Sequence, residues 1–107
     1  MAIAEITVDE LADYIENGAP VIDVRELDEY QSGHIPGAVH VQLGAVPDNV
    51  DAFRGGQPTY VICRSGARSM RACEYLVEQG VHVVNVGGGT LAWMSSGRDT
   101  VTGDAPS

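Results

Sequence analysis

The chain has no lysine: all six of its cations are arginine, set against fifteen acidic residues, for a formal charge of −9. Nonspecific binding to nucleic acid or to an anionic membrane draws on Lys and Arg counter-charge, so neither is expected as a partner. Long apolar runs are also missing. Met1 to Ile6 carries no basic segment and no extended hydrophobic stretch, which predicts neither a secretory signal nor a membrane anchor, and hence a soluble, cytoplasmic protein. Cysteine is scarce. Cys63 and Cys73 are too few for a disulfide framework and lack Cys-x-x-Cys spacing, which argues against structural zinc and thioredoxin-like redox chemistry and for reduced thiols. The histidines His34, His40 and His82 have no ligand spacing, so no metal is expected. Gly87-Gly88-Gly89 before Thr90 superficially suggests a phosphate loop, but the lysine and the full spacing are absent. A tight turn is expected there, and no cofactor.

What remains is an ordinary globular balance. With 107 residues, 44% hydrophobic and 20% charged, the chain is long enough to bury one core but not two. Apolar runs of strand length alternate with segments of helical period, the pattern of an α/β domain with a mainly parallel sheet. Five strands are predicted: Ala4–Ile6, Val21–Val24, Ala38–Val41, Tyr60–Ile62 and His82–Val86. Thr7 and Glu10 form a capping-box signature that opens a helix over Val8–Asn17, closed by Gly18. Shorter helices are predicted over Glu26–Gln31 and around Val46, Val50 and Phe53. A longer one spans Ala67–Gln79, with Met70, Cys73, Leu76 and Val77 on one face and Gly80 as terminator. Residues 98–107 have no period and are expected to form a loosely ordered tail after a domain spanning 1–97.

Three of the six arginines (Arg64, Arg68 and Arg71) fall in one short stretch beside Cys63. There Tyr60-Val61-Ile62 leads into Cys63-Arg64-Ser65-Gly66 and then a helix start. A cysteine at a strand end, a Gly-containing turn and a helix N-terminus together make a nest of backbone N–H groups that stabilises an anion. Cys63 is therefore expected to ionise more readily than a free thiol, and its thiolate to be the nucleophile. Arg64 and Arg68 add positive charge that favours the thiolate and offers hydrogen bonds to an anionic substrate. An isolated cysteine is ordinarily a small core residue, yet a core role needs neither Gly66 nor flanking arginines. Cys73, on the Met70, Leu76 and Val77 face, fits the core role.

These residues carry a resemblance. The sequence is similar to the single-domain rhodaneses, thiosulfate sulfurtransferases whose active loop reads Cys-Arg-Ser-Gly-x-Arg-Ser, here Cys63, Arg64, Ser65, Gly66, Ala67, Arg68 and Ser69. Asp23-Val24-Arg25-Glu26, Glu29-Tyr30, Gly33-His34-Ile35-Pro36-Gly37-Ala38, Gly87-Gly88 and Ala92-Trp93 also match, in order, over about residues 6–97. The resemblance implies a three-layer α/β/α domain with a five-stranded sheet. It implies sulfur transfer through a Cys63 persulfide, from a small anionic donor to cyanide or a thiol. The amides of residues 64–69 would cradle the sulfur, Arg68 and Arg64 would hold the sulfonate, and Ser65 and Ser69 would contribute hydrogen bonds. Asp23 and Arg25, at a strand's carboxyl end, face the same crevice, more as an ion-pair brace for the loop than as substrate contacts. His34 is expected to fix a turn rather than to act as acid or base.

Two other functions compete. The related dual-specificity phosphatases have a loop one residue longer, whereas Cys63 and Arg68 enclose only four residues. The smaller cradle suits one added sulfur better than a phosphate ester, leaving phosphatase or arsenate reductase chemistry as a remote alternative. The other is a sulfur-carrier or protein-docking module serving a sulfur relay, in which thiosulfate turnover is incidental.

Overall fold

The computed structural model describes residues 2–107. Five strands, β1 (Glu5–Ile6), β2 (Val21–Asp23), β3 (Val39–His40), β4 (Thr59–Ile62) and β5 (Val83–Val86), form one sheet in the order β1-β5-β4-β2-β3. Every pairing is parallel, so the strands need crossover connections, and the helices that supply them cover the sheet. The central strands are buried throughout. On β4, Val61 belongs to a cluster with Ile22, Phe53, Ala72, Leu76 and Val83, while Tyr60 and Ile62 join Val8, Leu11, Val84 and Trp93 in a second. This alternation puts one core on each face, the three-layer arrangement that the resemblance implied.

Helix α1 (Val8–Glu16) starts at the expected capping box: the Thr7 hydroxyl accepts from Glu10 N–H at 3.2 Å and Glu10 Oε1 accepts from Thr7 N–H at 3.1 Å. Helix α2 (Leu27–Ser32) has Glu26 as its N-cap and Glu29 reaching back to it, and α3 spans Ala67–Glu78. The helix expected around Val46, Val50 and Phe53 is instead two 3-10 turns, Leu43–Asp48 and Val50–Phe53. Pro47 has no N–H to give and cannot sit inside a regular helical ladder, so the tighter turns carry Val46 and Phe53 into the core. Helix α4 (Gly89–Ser95), which the apolar period did not announce, follows β5 and buries Trp93. Among the described residues, no helix is long and apolar enough to cross a membrane.

Residues 98–107, expected to hang loose, are bonded back onto the domain. Val101 and His34 exchange both backbone hydrogen bonds at 2.9 Å, Gly103 N–H donates to Gln31, and Gly37 N–H donates to Pro106. The buried His34 ring stacks on Tyr30 and lies 2.7 Å from the Tyr30 carbonyl and 2.9 Å from that of Ala105. Aperiodic sequence gives no hint of this, because backbone bonds rather than an apolar face hold the segment.

Candidate active site

Cys63 lies one residue beyond β4, flanked in the sheet by β5 and β2, so the sulfur sits at the carboxyl edge where ligands of parallel sheets gather. Its carbonyl accepts from Thr90 N–H at 2.9 Å and the Thr90 hydroxyl at 3.0 Å, and the Arg64 carbonyl accepts from Leu91 N–H at 3.0 Å. The first turn of α4 thus satisfies the carbonyls of the loop from behind. The chain then turns at Gly66, whose φ of +111° favours glycine, and enters α3. Gly89 permits the close approach: its φ is +59°, and a Cβ there would fall 2.5 Å from the carbonyl oxygens of both Cys63 and Arg64. The glycine run is therefore a tight turn, as expected, and its purpose is to back the loop.

The N–H groups of Ser65, Gly66 and Ser69 serve the sulfur. Gly66 N–H donates to Cys63 Sγ at 3.1 Å, and Ser69 Oγ lies 3.4 Å from it. Cys63 is only 1% exposed, and burial pushes its thiol pKa up. The Ser69 hydroxyl and the backbone N–H groups of Ser69, Gly66 and Ser65 more than offset this, leaving the pKa below that of a free thiol. The N-terminus of the twelve-residue α3 contributes in the same sense.

The expected site residues are distributed unevenly around the sulfur. Ser69 is buried with its hydroxyl toward Sγ, while Ser65 is exposed and participates through its backbone N–H, and Ala67 is exposed at the start of α3. Arg64 is exposed and lines a cleft of about 220 Å³ with Arg25, Glu29, Ser32, Thr90 and Met94. Arg68 is engaged: Nη1 and Nη2 donate to Glu29 Oε1 and Oε2 at 2.7 and 2.9 Å. That fork-to-fork pair holds the Glu29 carboxyl down at about 2. Asp23 and Arg25 form a buried pair, with Arg25 Nη2 2.8 Å from Asp23 Oδ2. Arg25 Nη2 also donates to the Gly33 carbonyl at 2.8 Å, so this brace ties β2 to the end of α2, not to the loop 63–69 as expected. Cys73 is fully buried in the core, and burial raises its thiol to about 12.

Sequence reasoning missed Glu29 as a partner of Arg68, Thr90 and Gly89 as the backing of the loop, and Asn85, whose Nδ2 donates to the Gly66 carbonyl at 3.3 Å. The first had a signal: a carboxylate opening a helix, in a segment already matched. The others lie far from the loop in sequence, and only the sheet order brings them under it.

Comparison with known proteins agrees with this geometry. The rhodanese-like domain profile matches residues 7–96. YtwF of Bacillus subtilis, named as a sulfurtransferase, is 44% identical over 95 residues, covering 87% of this chain and 92% of the relative. The thiosulfate sulfurtransferase GlpE of Pseudomonas paraeruginosa is 38% identical over 92 residues, 84% of each chain. Among solved structures, a rhodanese-related protein of Thermoplasma volcanium superposes with a TM-score of 0.86 at 28% identity, covering 94% of this chain and 99% of that one. Loop geometry, parallel sheet and kinship converge: the chain belongs to the rhodanese-like sulfurtransferase family.

Proposed function

We propose that the protein moves sulfane sulfur from thiosulfate, or a related small anionic donor, to cyanide or a thiol through a persulfide on Cys63. The observation that carries this is the donor set on Cys63 Sγ, which keeps a buried thiol easy to ionise. The thiolate attacks the outer sulfur of thiosulfate, and the bond between the two thiosulfate sulfurs breaks with its electron pair leaving on sulfite. The acceptor nucleophile then takes the terminal persulfide sulfur, giving thiocyanate or a new persulfide, and Cys63 thiolate returns. No proton needs to be removed from a cyanide or thiolate acceptor, so His34, locked between backbone carbonyls, has no part in the step.

The cleft beside the loop receives the donor's sulfonate. Arg64 lines it directly, and Arg68 contributes to the extent that Glu29 releases it. A cytoplasmic, reducing setting would keep the free Cys63 ready. Intact mass after exposure to thiosulfate is the test: a gain of one sulfur, removed by reductant and absent from Cys63→Ser, supports the proposal, while a gain retained by that variant overturns it. Covalent storage also requires sulfite to leave before the acceptor enters. Initial rates at varied thiosulfate and cyanide should therefore give parallel double-reciprocal lines.

A second reading is favoured by one relative: YrkF of Bacillus subtilis, 40% identical over 74 residues, is named as a sulfur carrier. If Cys63 loads stoichiometrically yet yields sulfur slowly to cyanide and faster to a protein thiol, the physiological acceptor is a relay protein.

A further inference from the structure

We infer that Asn85 is a positioning residue for Cys63: by supplying the Gly66 carbonyl with a donor, it reserves the single proton of the Ser69 hydroxyl for the Cys63 sulfur. The inference rests on the reading of Cys63 as the reactive thiolate and identifies what sustains it.

Asn85 is a buried polar residue in β5, next to β4 and behind the loop. The orientation of its amide is fixed by what surrounds the nitrogen. Nδ2 lies 2.7 Å from Glu5 Oε2 and 3.3 Å from the Gly66 carbonyl oxygen, both acceptors. Turning the amide over would set Oδ1 against two oxygens. In the observed orientation Oδ1 is buried without a donor, an unsatisfied group that the fold tolerates while Nδ2 serves the loop.

The Gly66 carbonyl can accept two hydrogen bonds, and Met70 N–H, at 3.1 Å in the first turn of α3, takes one. Two groups compete for the other: Asn85 Nδ2 at 3.3 Å and Ser69 Oγ at 3.2 Å. The Ser69 hydroxyl also lies 3.4 Å from Cys63 Sγ, but it has one proton and makes one donation. With Asn85 on the carbonyl, that proton goes to sulfur. Without Asn85, the carbonyl is the nearer acceptor and captures it. Gly66 is itself a donor to Sγ through its N–H at 3.1 Å, so the residue whose carbonyl Asn85 holds is also one of the sulfur's donors.

The test is the rate of Cys63 alkylation by iodoacetamide against pH, read by peptide mapping so that Cys73 is counted separately. A neutral alkylating agent is indifferent to the arginines and needs no sulfur donor, so the result stands apart from whether a persulfide forms. At neutral pH, Ser69→Ala and Asn85→Ala should each slow alkylation by about five- to tenfold, roughly the net value of one hydrogen bond, with the profile displaced to higher pH. The double variant should be no slower than Ser69→Ala alone. A profile for Asn85→Ala that coincides with the parent's, or losses that multiply in the double variant, would overturn the inference. Should Asn85→Ala not fold, Asn85→Asp keeps the shape while exchanging the donor for an acceptor. Its charge slows alkylation in both backgrounds, so the inference predicts a larger loss where Ser69 is present, and equal losses refute it.

Discussion

Cys63 and Cys73 belong to one apolar cluster and are 1% and 0% exposed, yet their thiols are shifted in opposite directions. Cys73 lies within α3, where the neighbouring N–H groups serve the helical ladder, and burial pushes its thiol up to about 12. Cys63 precedes α3, where N–H groups have no helical partner to serve and turn to the sulfur instead. Burial by itself therefore makes a cysteine inert. What eases the ionisation of a buried one is donors that the backbone has left unspent.

The sharpest way to break this contrast is to remove each thiol in turn. Cys63→Ser should abolish sulfur loading and turnover outright, as read by intact mass and thiocyanate release. Cys73→Ala should retain both and lose only about 1–2 kcal/mol in a denaturant titration, the effect of a small core void.

The backing of the loop offers the next largest effect. Gly89→Ala would drive a Cβ into the Cys63 and Arg64 carbonyls in a backbone region that L residues rarely adopt. It should cost about 1–3 kcal/mol and displace the loop, lowering sulfur transfer by at least about tenfold. Gly44→Ala, with no atom within 4 Å of the added carbon, should change stability by less than about 0.5 kcal/mol.

Acidity separates the two thiols in sign. The folded Cys63 binds its proton less tightly than an unfolded thiol near 9.0. Its contribution to stability is therefore present above that pH and lost as pH falls through the folded value. Cys73 is opposite: its contribution holds below 9.0 and is lost as pH rises towards about 12. Denaturant midpoints measured at rising alkaline pH should fall less steeply in Cys73→Ala than in the parent.

Charge at the rim is the finest adjustment. Arg68→Ala should weaken use of thiosulfate a fewfold more than use of an uncharged sulfur donor, measured as the ratio of kcat/KM values. Equal losses would assign Arg68, with Glu29, to loop architecture. Stability should change by less than about 1 kcal/mol, because the pair is about one-third and one-quarter exposed.

Much of this was legible in the chain, and the parts that were not share a cause. The Thr7 and Glu10 box, the strands rich in valine and isoleucine, and the turn from Ile62 through Gly66 into α3 are local, written in neighbouring residues. The two 3-10 turns were misread because the apolar spacing of Val46, Val50 and Phe53 outweighed Pro47, and α4 went unpredicted because it opens on left-handed glycines, Gly88 as its N-cap and Gly89 as its first residue. The pinned residues 98–107 and the pairing of Arg68 with Glu29 join segments distant in sequence.

The sequence by itself determined that one cysteine stands at a strand end before a Gly turn and a helix, since strand period, turn residues and helix start are properties of consecutive residues. Only the tertiary structure decided how that cysteine is tuned. The sheet order sets β5 against β4 and brings Asn85, Gly89 and Thr90 beneath the loop, while α2 brings Glu29 onto Arg68. Hydrogen-bond partners are assigned by distance in space, and parallel strands joined by crossovers make neighbours of residues that the chain keeps far apart.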